Sequence, residues 1–408
     1  MTSRVLSRAR LGTVLTFALA GMLCGVWVSR TPALADRFGL SDGSVGVAIL
    51  VWGIGAIIAM QGLRGVMARA GSAAVLRVAA PLTALSMVFV ALAPSWPLLL
   101  AGVAMFGMTF GLTDVGMNAQ GSAVERSYGR PVMNAMHAGW CAGAISGGLL
   151  GAFSASAGMS FGQTLCGGGL LALPAALAIG RTYIPEHTSE EENEDSPTAT
   201  ARRSRRVRMP LVVYLVGALA FAAFMMEGSI ADWSGLYLSR ELGAGEAVGA
   251  LGYPLFEAAM LTGRLVGDRL RGRLGTRRLL TYAGLGTAAT VMVVVLAPVP
   301  KVALLGFFLA GLAICTVTPT TISVAGTVAP GRSAGAVAQV GAMGYGGLVL
   351  GPVVIGFLSD VSSLRVGLGV AAVLGLLIAA GARYVPMRRL VAFRGEREVE
   401  RDTVTLAA

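Results

Sequence analysis

Charged residues are scarce in this chain, and their scarcity is the first constraint on its class. Asp, Glu, Lys and Arg make up 13% of its 408 residues, whereas soluble domains carry about 25%. The hydrophobic fraction is 55%, and the mean hydropathy is +0.73. Because this composition cannot supply a water-facing shell, it excludes a soluble globular enzyme and indicates a polytopic membrane protein.

Histidine, lysine and cysteine are also scarce, which removes several kinds of active site. The chain has two His, four Cys and a single Lys, and it contains no His-Glu-x-x-His, Gly-Lys-Ser/Thr phosphate loop or Gly-x-Ser-x-Gly motif. The enzyme classes and ATP-driven pumps that depend on those motifs are therefore excluded. We expect no enzyme, no metal site and no cofactor. The cysteines lie in apolar segments without ligand or disulfide spacing, so we expect small core residues.

Apolar stretches long enough to cross a bilayer, about 20 residues each, recur twelve times. Helices are predicted because only helices and closed barrels satisfy the backbone in lipid, and these runs are too long for barrel strands. The predicted spans are 11–34, 43–62, 74–93, 97–124, 133–155, 162–181, 210–238, 245–263, 277–297, 301–325, 333–358 and 364–384. The predicted fold class is an all-α membrane protein of twelve transmembrane helices.

A polar stretch divides these spans into two sets of six. The predicted halves are 1–185 and 210–387, and residues 388–408 form a polar cytoplasmic tail. Between the halves, residues 186–209 contain an acidic block followed by a basic block, which predicts a solvated cytoplasmic linker. Two six-helix halves around a central cavity are one architecture that secondary transporters use.

The basic residues predict the orientation in the membrane. The net charge of +11 comes largely from Arg between the apolar runs, so we read it as topological and expect no nucleic-acid binding. An even number of spans puts both termini on one side. The loops of the opposite side contain five of the 32 Lys and Arg residues: Arg30, Arg37, Arg240, Lys301 and Arg365. The excess on the other side predicts cytoplasmic termini.

Asp114 is the strongest candidate for a functional residue. It is the sole charge between Arg77 and Glu125, inside the fourth apolar run. A carboxylate in hydrocarbon costs several kcal/mol unless it faces a polar cavity, has a partner or is protonated. Asn118 follows one helical turn later on the same face. Proton coupling or substrate contact is one interpretation, and a structural carboxylate paired with Asn118 or with a neighbouring helix is the other.

Two acids in the second half are further candidates. Glu227 lies near the middle of the seventh span, beside Gly228 and Ser229, which could loosen the helix where transporters build binding sites. Glu257, in the eighth span, is the only charge between Glu246 and Arg264. It is either a buried acid with a partner in the other half or a cytoplasm-facing acid that pairs with Arg264.

Polar residues near the helix ends complete the candidate set. Arg30 either snorkels to the headgroups, the favoured interpretation, or faces the cavity and pairs with an acid or an anionic substrate. Asn134 and His137 stand one turn apart at the start of the fifth span, where His137 either shuttles protons or is a hydrogen-bonded structural residue. We expect Asp232 and Trp233 nearer the outer surface, as a mouth or capping residue and an interfacial anchor.

The six-plus-six layout resembles the major facilitator superfamily over nearly the whole chain. The loop after the eighth span resembles that superfamily's cytoplasmic gating signature, which the resemblance assigns to Gly263, Gly267, Asp268, Arg269 and Arg273. The corresponding loop of the first half has Ala68 at the position of the acid. We therefore expect the gating contact in one half only. The eleventh span carries a packing pattern of small residues typical of close helix contact, at Gly347, Gly351, Pro352 and Gly356.

Two further stretches resemble the fucose and glucose/galactose permease branch of that superfamily. Residues 111–118 are similar to its fourth helix, and residues 226–233 to its seventh, with Glu and Asp at the same separation. The resemblance implies a proton-coupling role for Asp114. The chain departs from the fucose permease in its first helix, which contains no acid and carries Arg30 as its charge.

These observations predict a proton-coupled secondary transporter for a small polar solute such as a sugar. We expect a monomer in the lipid bilayer of a bacterial inner (cytoplasmic) membrane, working by alternating access. An exporter of drugs or metabolites is the alternative within transport. A non-transporting membrane scaffold or sensor is the alternative of another class.

Overall fold

The chain folds into a helical bundle in two halves. The structure, a computed structural model, describes residues 3–62, 64–128, 132–184, 209–329 and 333–386. The helices of the N-terminal half are α1 (Ser3–Ser29), α2 (Thr31–Phe38), α3 (Asp42–Gly62), α4 (Arg64–Leu92), α5 (Trp96–Tyr128), α6 (Met133–Ser156) and α7 (Phe161–Ile179). The predicted linker and tail lie outside the described residues, apart from Met209.

The C-terminal half has the same layout. Its helices are α8 (Leu211–Leu236), α9 (Glu246–Gly249), α10 (Gly252–Leu274), α11 (Thr276–Val295), α12 (Pro300–Ile314), α13 (Val317–Val328), α14 (Ser333–Val361) and α15 (Leu364–Ala382). A π-helical turn, Tyr237–Glu241, extends α8. The side that carries the start of α1 and the end of α15 is called the terminal side below, and the opposite side is the far side.

Eleven of the twelve predicted spans are long and apolar enough in the described residues to cross a membrane. The exception is the eighth, α10, whose charged residues lower its mean hydropathy. It packs against α6, α8 and α12 within the bundle. The fold is therefore the predicted all-α membrane bundle of two six-helix halves.

Two of the differences between predicted and observed helix boundaries affect residues near the site. The eighth helix was expected to end at residue 263, but α10 continues to Leu274, so the residues of the predicted gating loop lie on a helix. Hydropathy does not register this extension, because a helix that leaves the bilayer becomes polar without ending. The tenth span is also divided at Cys315 and Thr316 into α12 and α13.

Glycines allow the helices of each half to approach closely. A Cβ atom at Gly143 or Gly147 of α6 would overlap the backbone of α1 at Ala18 or Met22. In the second half, Gly347 of α14 meets the backbone of α8 in the same way. Close backbone approach is how helices gain packing energy in lipid, where burial of apolar surface gives little.

A short sequence repeat determines the turn that leads into the third membrane span of each half. Arg-x-Gly-Ser at 69–72 and Arg-x-Gly-Thr at 273–276 occupy equivalent places. Gly71 has φ +76° and ψ +161°, and Gly275 has φ +75° and ψ +160°. This backbone region is essentially restricted to glycine. The repeat of these loops is visible in the sequence, whereas the conformation of its turn glycine is seen only in the structure.

We expect Gly275→Ala to destabilise the protein by about 1–3 kcal/mol, since a Cβ strains this backbone conformation. Gly272→Ala, three residues earlier, is the matched control. That glycine is helical and open around its Cβ position, so alanine there should be neutral or stabilising by up to ~1 kcal/mol. Thermal unfolding of both variants in detergent measures the difference. Equal stability of the two would contradict the assignment of strain to Gly275.

Candidate functional site

A cavity lies between the two halves near the middle of the bundle. Its volume is about 440 Å3, and both halves contribute to its wall. Five of the predicted candidates line it: Asp114, Asn118, His137, Glu227 and Glu257. The cavity therefore brings together acids that lie on three different helices.

The wall from the N-terminal half is largely aromatic. The rings of Trp52 and Phe110 are 5.1 Å apart between centroids, and those of Phe110 and Trp140 are 5.9 Å apart. Trp27 also lines the cavity, and its ring lies 6.1 Å from that of Phe106. Such a wall can stack on the apolar face of a ring-shaped solute, and it also packs the core of this half.

Asp114 joins the two halves through a hydrogen bond to a residue that the sequence did not identify. The Tyr345 hydroxyl of α14 donates to Asp114 Oδ2 at 2.9 Å. On its own helix, Asn118 Nδ2 donates to the Asp114 backbone oxygen at 2.9 Å and lies 3.4 Å from Oδ1. The predicted Asn118 partnership is therefore mainly with the backbone. The main side-chain partner of Asp114 comes from the other half, 231 positions along the chain.

Glu227 belongs to a polar network on the opposite wall. Thr318, just after the break between α12 and α13, donates to Glu227 Oε1 at 2.7 Å. Arg264 of α10 places Nη2 3.8 Å from Glu227 Oε2 and donates Nη1 to the Cys141 thiol at 3.4 Å. Arg264 does not form the ion pair with Glu257 that one interpretation held, because its guanidinium pairs with Glu227.

Glu257 and Asp232 complete the cavity's acidic groups. Glu257 is 8% exposed, and its Oε2 has no hydrogen-bond partner among the described residues. Asp232 lines the cavity and was expected nearer the outer surface. The prediction that Trp233 is an interfacial anchor is wrong, because Trp233 is fully buried with its ring beside Gly356 of α14.

The halves meet on the far side of the cavity. Arg240, after α8, donates to Asp42 Oδ1 at 2.5 Å and to the Leu40 carbonyl at 3.0 Å. Ser41 donates to Asp360 Oδ2 at 3.0 Å. These contacts connect the start of α3 with the far ends of α8 and α14, so the halves are joined there.

Arg30 takes part in the same closure. Its side chain is 1% exposed, which excludes snorkelling to the headgroups. Nη2 donates to the Met159 carbonyl at 2.7 Å, and Nη1 lies 3.3 Å from Glu246 Oε1 in the other half. Arg30 pairs with an acid, as one interpretation held, but it does not appear among the residues that line the cavity.

The remaining candidates lie in separate parts of the structure. His137 lines the cavity, with its ring 5.1 Å from that of Phe17. The side chains of Asn134 and Asp268 lie outside the described residues. Gly263 and Gly267 face Cys315 and Thr316 at the break between α12 and α13, and Arg269 and Arg273 are exposed. Gly347, Gly351, Pro352 and Gly356 bring α14 against α8 and α3.

A bundle of this kind, with its cavity shared between two six-helix halves, is that of a membrane transporter and not of an enzyme. The family model of the Major Facilitator Superfamily matches residues 11–345 and 272–406. An uncharacterised MFS-type transporter of Yersinia pestis is 32% identical over 92% of this chain and 95% of its own. The chain belongs to the major facilitator superfamily.

Solved structures with the same fold are more distant in sequence. The nucleoside transporter NupG aligns with a TM-score of 0.70 at 14% identity, over 94% of this chain and 100% of its own. A variant of the fucose–proton symporter FucP of E. coli aligns with a TM-score of 0.60 at 17% identity, over 93% of this chain and 98% of its own. At these identities the likeness establishes the fold.

Proposed function

We propose that the protein is a proton-coupled secondary transporter for a small polar solute such as a sugar. It acts as a monomer by alternating access across a bacterial cytoplasmic membrane, with both termini in the cytoplasm. The observation that carries the proposal is the hydrogen bond between Asp114 and Tyr345, since it ties a titratable group within the bundle to the opposite half. The solved fucose–proton symporter of the same fold supports it.

The proton acts through this bond. An ionised Asp114 accepts a charge-assisted hydrogen bond from Tyr345, and such bonds are roughly twice as strong as neutral ones. Protonation removes the charge, which weakens the attraction between the halves and lowers the cost of leaving the carboxyl in an apolar site. A proton that arrives from outside therefore favours the rearrangement of the halves around the bound solute.

The solute occupies the cavity between the aromatic wall and the polar network. Trp27, Trp52 and Trp140 offer faces for a sugar ring. Glu227 and Thr318 accept and donate hydrogen bonds at its edge. The contacts on the far side hold that end of the cavity closed, so the solute leaves on the terminal side. Because the proposed termini are cytoplasmic, this arrangement is an inward-facing state.

Purified protein in liposomes tests the proposal. An inward proton gradient should drive accumulation of at least one sugar or sugar acid from a panel, and addition of that solute without a gradient should carry protons with it. Empty liposomes and a gradient collapsed by a protonophore are the controls. Binding of panel sugars that never leads to proton-linked movement would contradict the proposal and favour a sensor.

One observation favours efflux of organic cations as a second candidate. The cavity wall has four carboxyl groups, on Asp114, Glu227, Asp232 and Glu257, against the single guanidinium of Arg264. Acids combined with aromatic faces bind lipophilic cations. Proton flux that accompanies cationic dyes and no sugar would support this second candidate. The solute and the direction of transport would then differ from those of the first candidate, whereas the coupling site would be the same.

A further inference from the structure

The cavity has a closed end on the far side with its own set of polar groups. Asp232 lies four residues before the end of α8, Glu257 lies five residues into α10, and Cys24 lies five residues before the end of α1. At 1.5 Å per residue, each is about 6–8 Å from the point where its α-helical segment ends on the far side, and the π-helical turn continues α8 beyond that point. All three line the cavity.

The two carboxyl groups at this end differ from the other two in the cavity. Asp114 has Tyr345, and Glu227 has Thr318 and Arg264. Within the described part of the chain, the partly buried Asp232 forms no hydrogen bond or ion pair and lines the cavity, and Glu257 Oε2 is buried without a donor. The Cys24 thiol is near enough to interact electrostatically with both carboxyl groups.

Buried acceptors without donors are costly, because their lost hydration is not replaced. The residues around them supply few donors. Tyr253 and Cys141 are side-chain donors to Glu257, and the charge of Arg264 acts on Glu257 as well as on Glu227. The carboxylate oxygens at the closed end still outnumber these donors, because Glu257 Oε2 has none, and a solute in the cavity is placed to provide a donor and a positive charge.

We propose that Asp232 and Glu257 form a subsite for a protonated amine of the transported solute. The ammonium group of the solute binds at the closed end, where Glu257 Oε2 lacks a donor and Asp232 adds negative charge to the cavity wall, while the apolar body of the solute lies against Trp27 and Trp52. The inference rests on the proposed transport function and narrows its solute to a primary-amine compound, such as an amino sugar or an aralkylamine. A neutral polyol also supplies donors but leaves the acidic charge uncompensated.

Matched pairs of solutes that differ in the amine test this subsite. The probes are D-galactosamine with D-galactose, D-glucosamine with D-glucose, and 2-phenylethylamine with 2-phenylethanol. Thermal-shift titration of the full-length protein in detergent at neutral pH gives an apparent affinity for each. We expect at least one amine to bind about tenfold or more tightly than its hydroxyl partner, since charge-assisted hydrogen bonds are the stronger kind.

Two variants assign the preference to these residues. Asp232→Asn/Glu257→Gln should remove the preference for the amine, and both changes preserve side-chain shape. Asp36→Asn is the control, because that carboxyl lies outside the cavity and is 76% exposed in a 4.0 Å pair with Arg240, and such exposed pairs contribute little to stability. Equal binding of both members of every pair, no amine binding, or a preference that survives the double variant would each overturn the subsite.

The outcomes separate this inference from the transport proposal. Proton-driven accumulation of a neutral sugar without any amine preference would leave the proposed function standing and remove the subsite. Amine-selective binding that depends on Asp232 and Glu257, without proton-linked movement, would leave the subsite standing and remove the proposed coupling.

Discussion

Asp114→Asn protein in liposomes is expected to bind its solute and to exchange it across the bilayer, but to lose proton-driven accumulation. Asparagine preserves the size of the side chain and can still accept a hydrogen bond from the Tyr345 hydroxyl, which is 2.9 Å from the carboxylate in the present structure. It cannot take up or release a proton. The variant thus separates the joining of the halves from the carriage of charge.

The expected loss is large because no proton is carried once the titrating carboxyl group has been removed. Accumulation against a gradient should fall to the equilibrium ratio of solute, while counterflow of labelled solute continues. The measurement compares uptake under an imposed proton gradient with counterflow at equal pH. Unchanged proton-driven accumulation by the variant would refute the assignment of the proton to Asp114.

Tyr345→Phe is the complementary variant. It removes the donor from the other half and leaves the carboxyl of Asp114 able to titrate. We expect proton-driven accumulation to persist with altered turnover, because the bond between the halves is lost while the proton carrier remains. Asp36→Asn should behave nearly like the parent protein in both assays, because Asp36 is 76% exposed in its 4.0 Å pair with Arg240 and such pairs contribute about 0–1 kcal/mol.

The partner of Asp114 shows where inference from the sequence ends. The cost of a charge in an apolar run identified Asp114 without any structure, since that cost depends on local composition alone. Tyr345 carried no comparable signal. It is uncharged and 231 positions away, and its contact depends on how α14 is rotated against α5. Hydrophobic periodicity does not determine that rotation in lipid, where all sides of a helix can be apolar.

Arg30 and Arg264 illustrate the same limit. Both were recognised as charges near or within predicted spans, and pairing with an acid was one interpretation of each. The partners, Glu246 for Arg30 and Glu227 for Arg264, follow from helix packing. Apolar runs therefore predicted the twelve-helix layout, whereas the pairing of polar groups inside it required the packed bundle.

Gly148→Leu is expected to prevent closure of the far side and to abolish transport while the protein stays folded. Gly148 of α6 faces Pro254 of α10 across the two halves, and even a Cβ atom there would lie 2.9 Å from the proline ring. A leucine has no room unless the helices separate. Overpacking of this kind costs about 1–3 kcal/mol, which shifts a two-state equilibrium by roughly 5- to 150-fold.

Accessibility of Cys24 measures that shift. Cys24 lines the closed end of the cavity, so opening of the far side exposes it to a membrane-impermeant thiol reagent. In a background where the other cysteines are replaced by alanine, labelling from the far side should be about tenfold faster in Gly148→Leu than in the parent. Gly167→Leu is the control, because nothing lies within 4 Å of the Cβ position there.

The glycine contact should matter more than the polar contacts around it. Arg240 is 32% exposed in its pair with Asp42, and partly exposed ion pairs contribute about 0–1 kcal/mol each. Arg240→Gln should therefore raise the labelling of Cys24 far less than Gly148→Leu. If the two variants had equal effects, the ion pairs and not the close approach of α6 and α10 would control the far side. Labelling of Gly148→Leu confined to the terminal side would show that separation of these two helices is not part of the transport cycle.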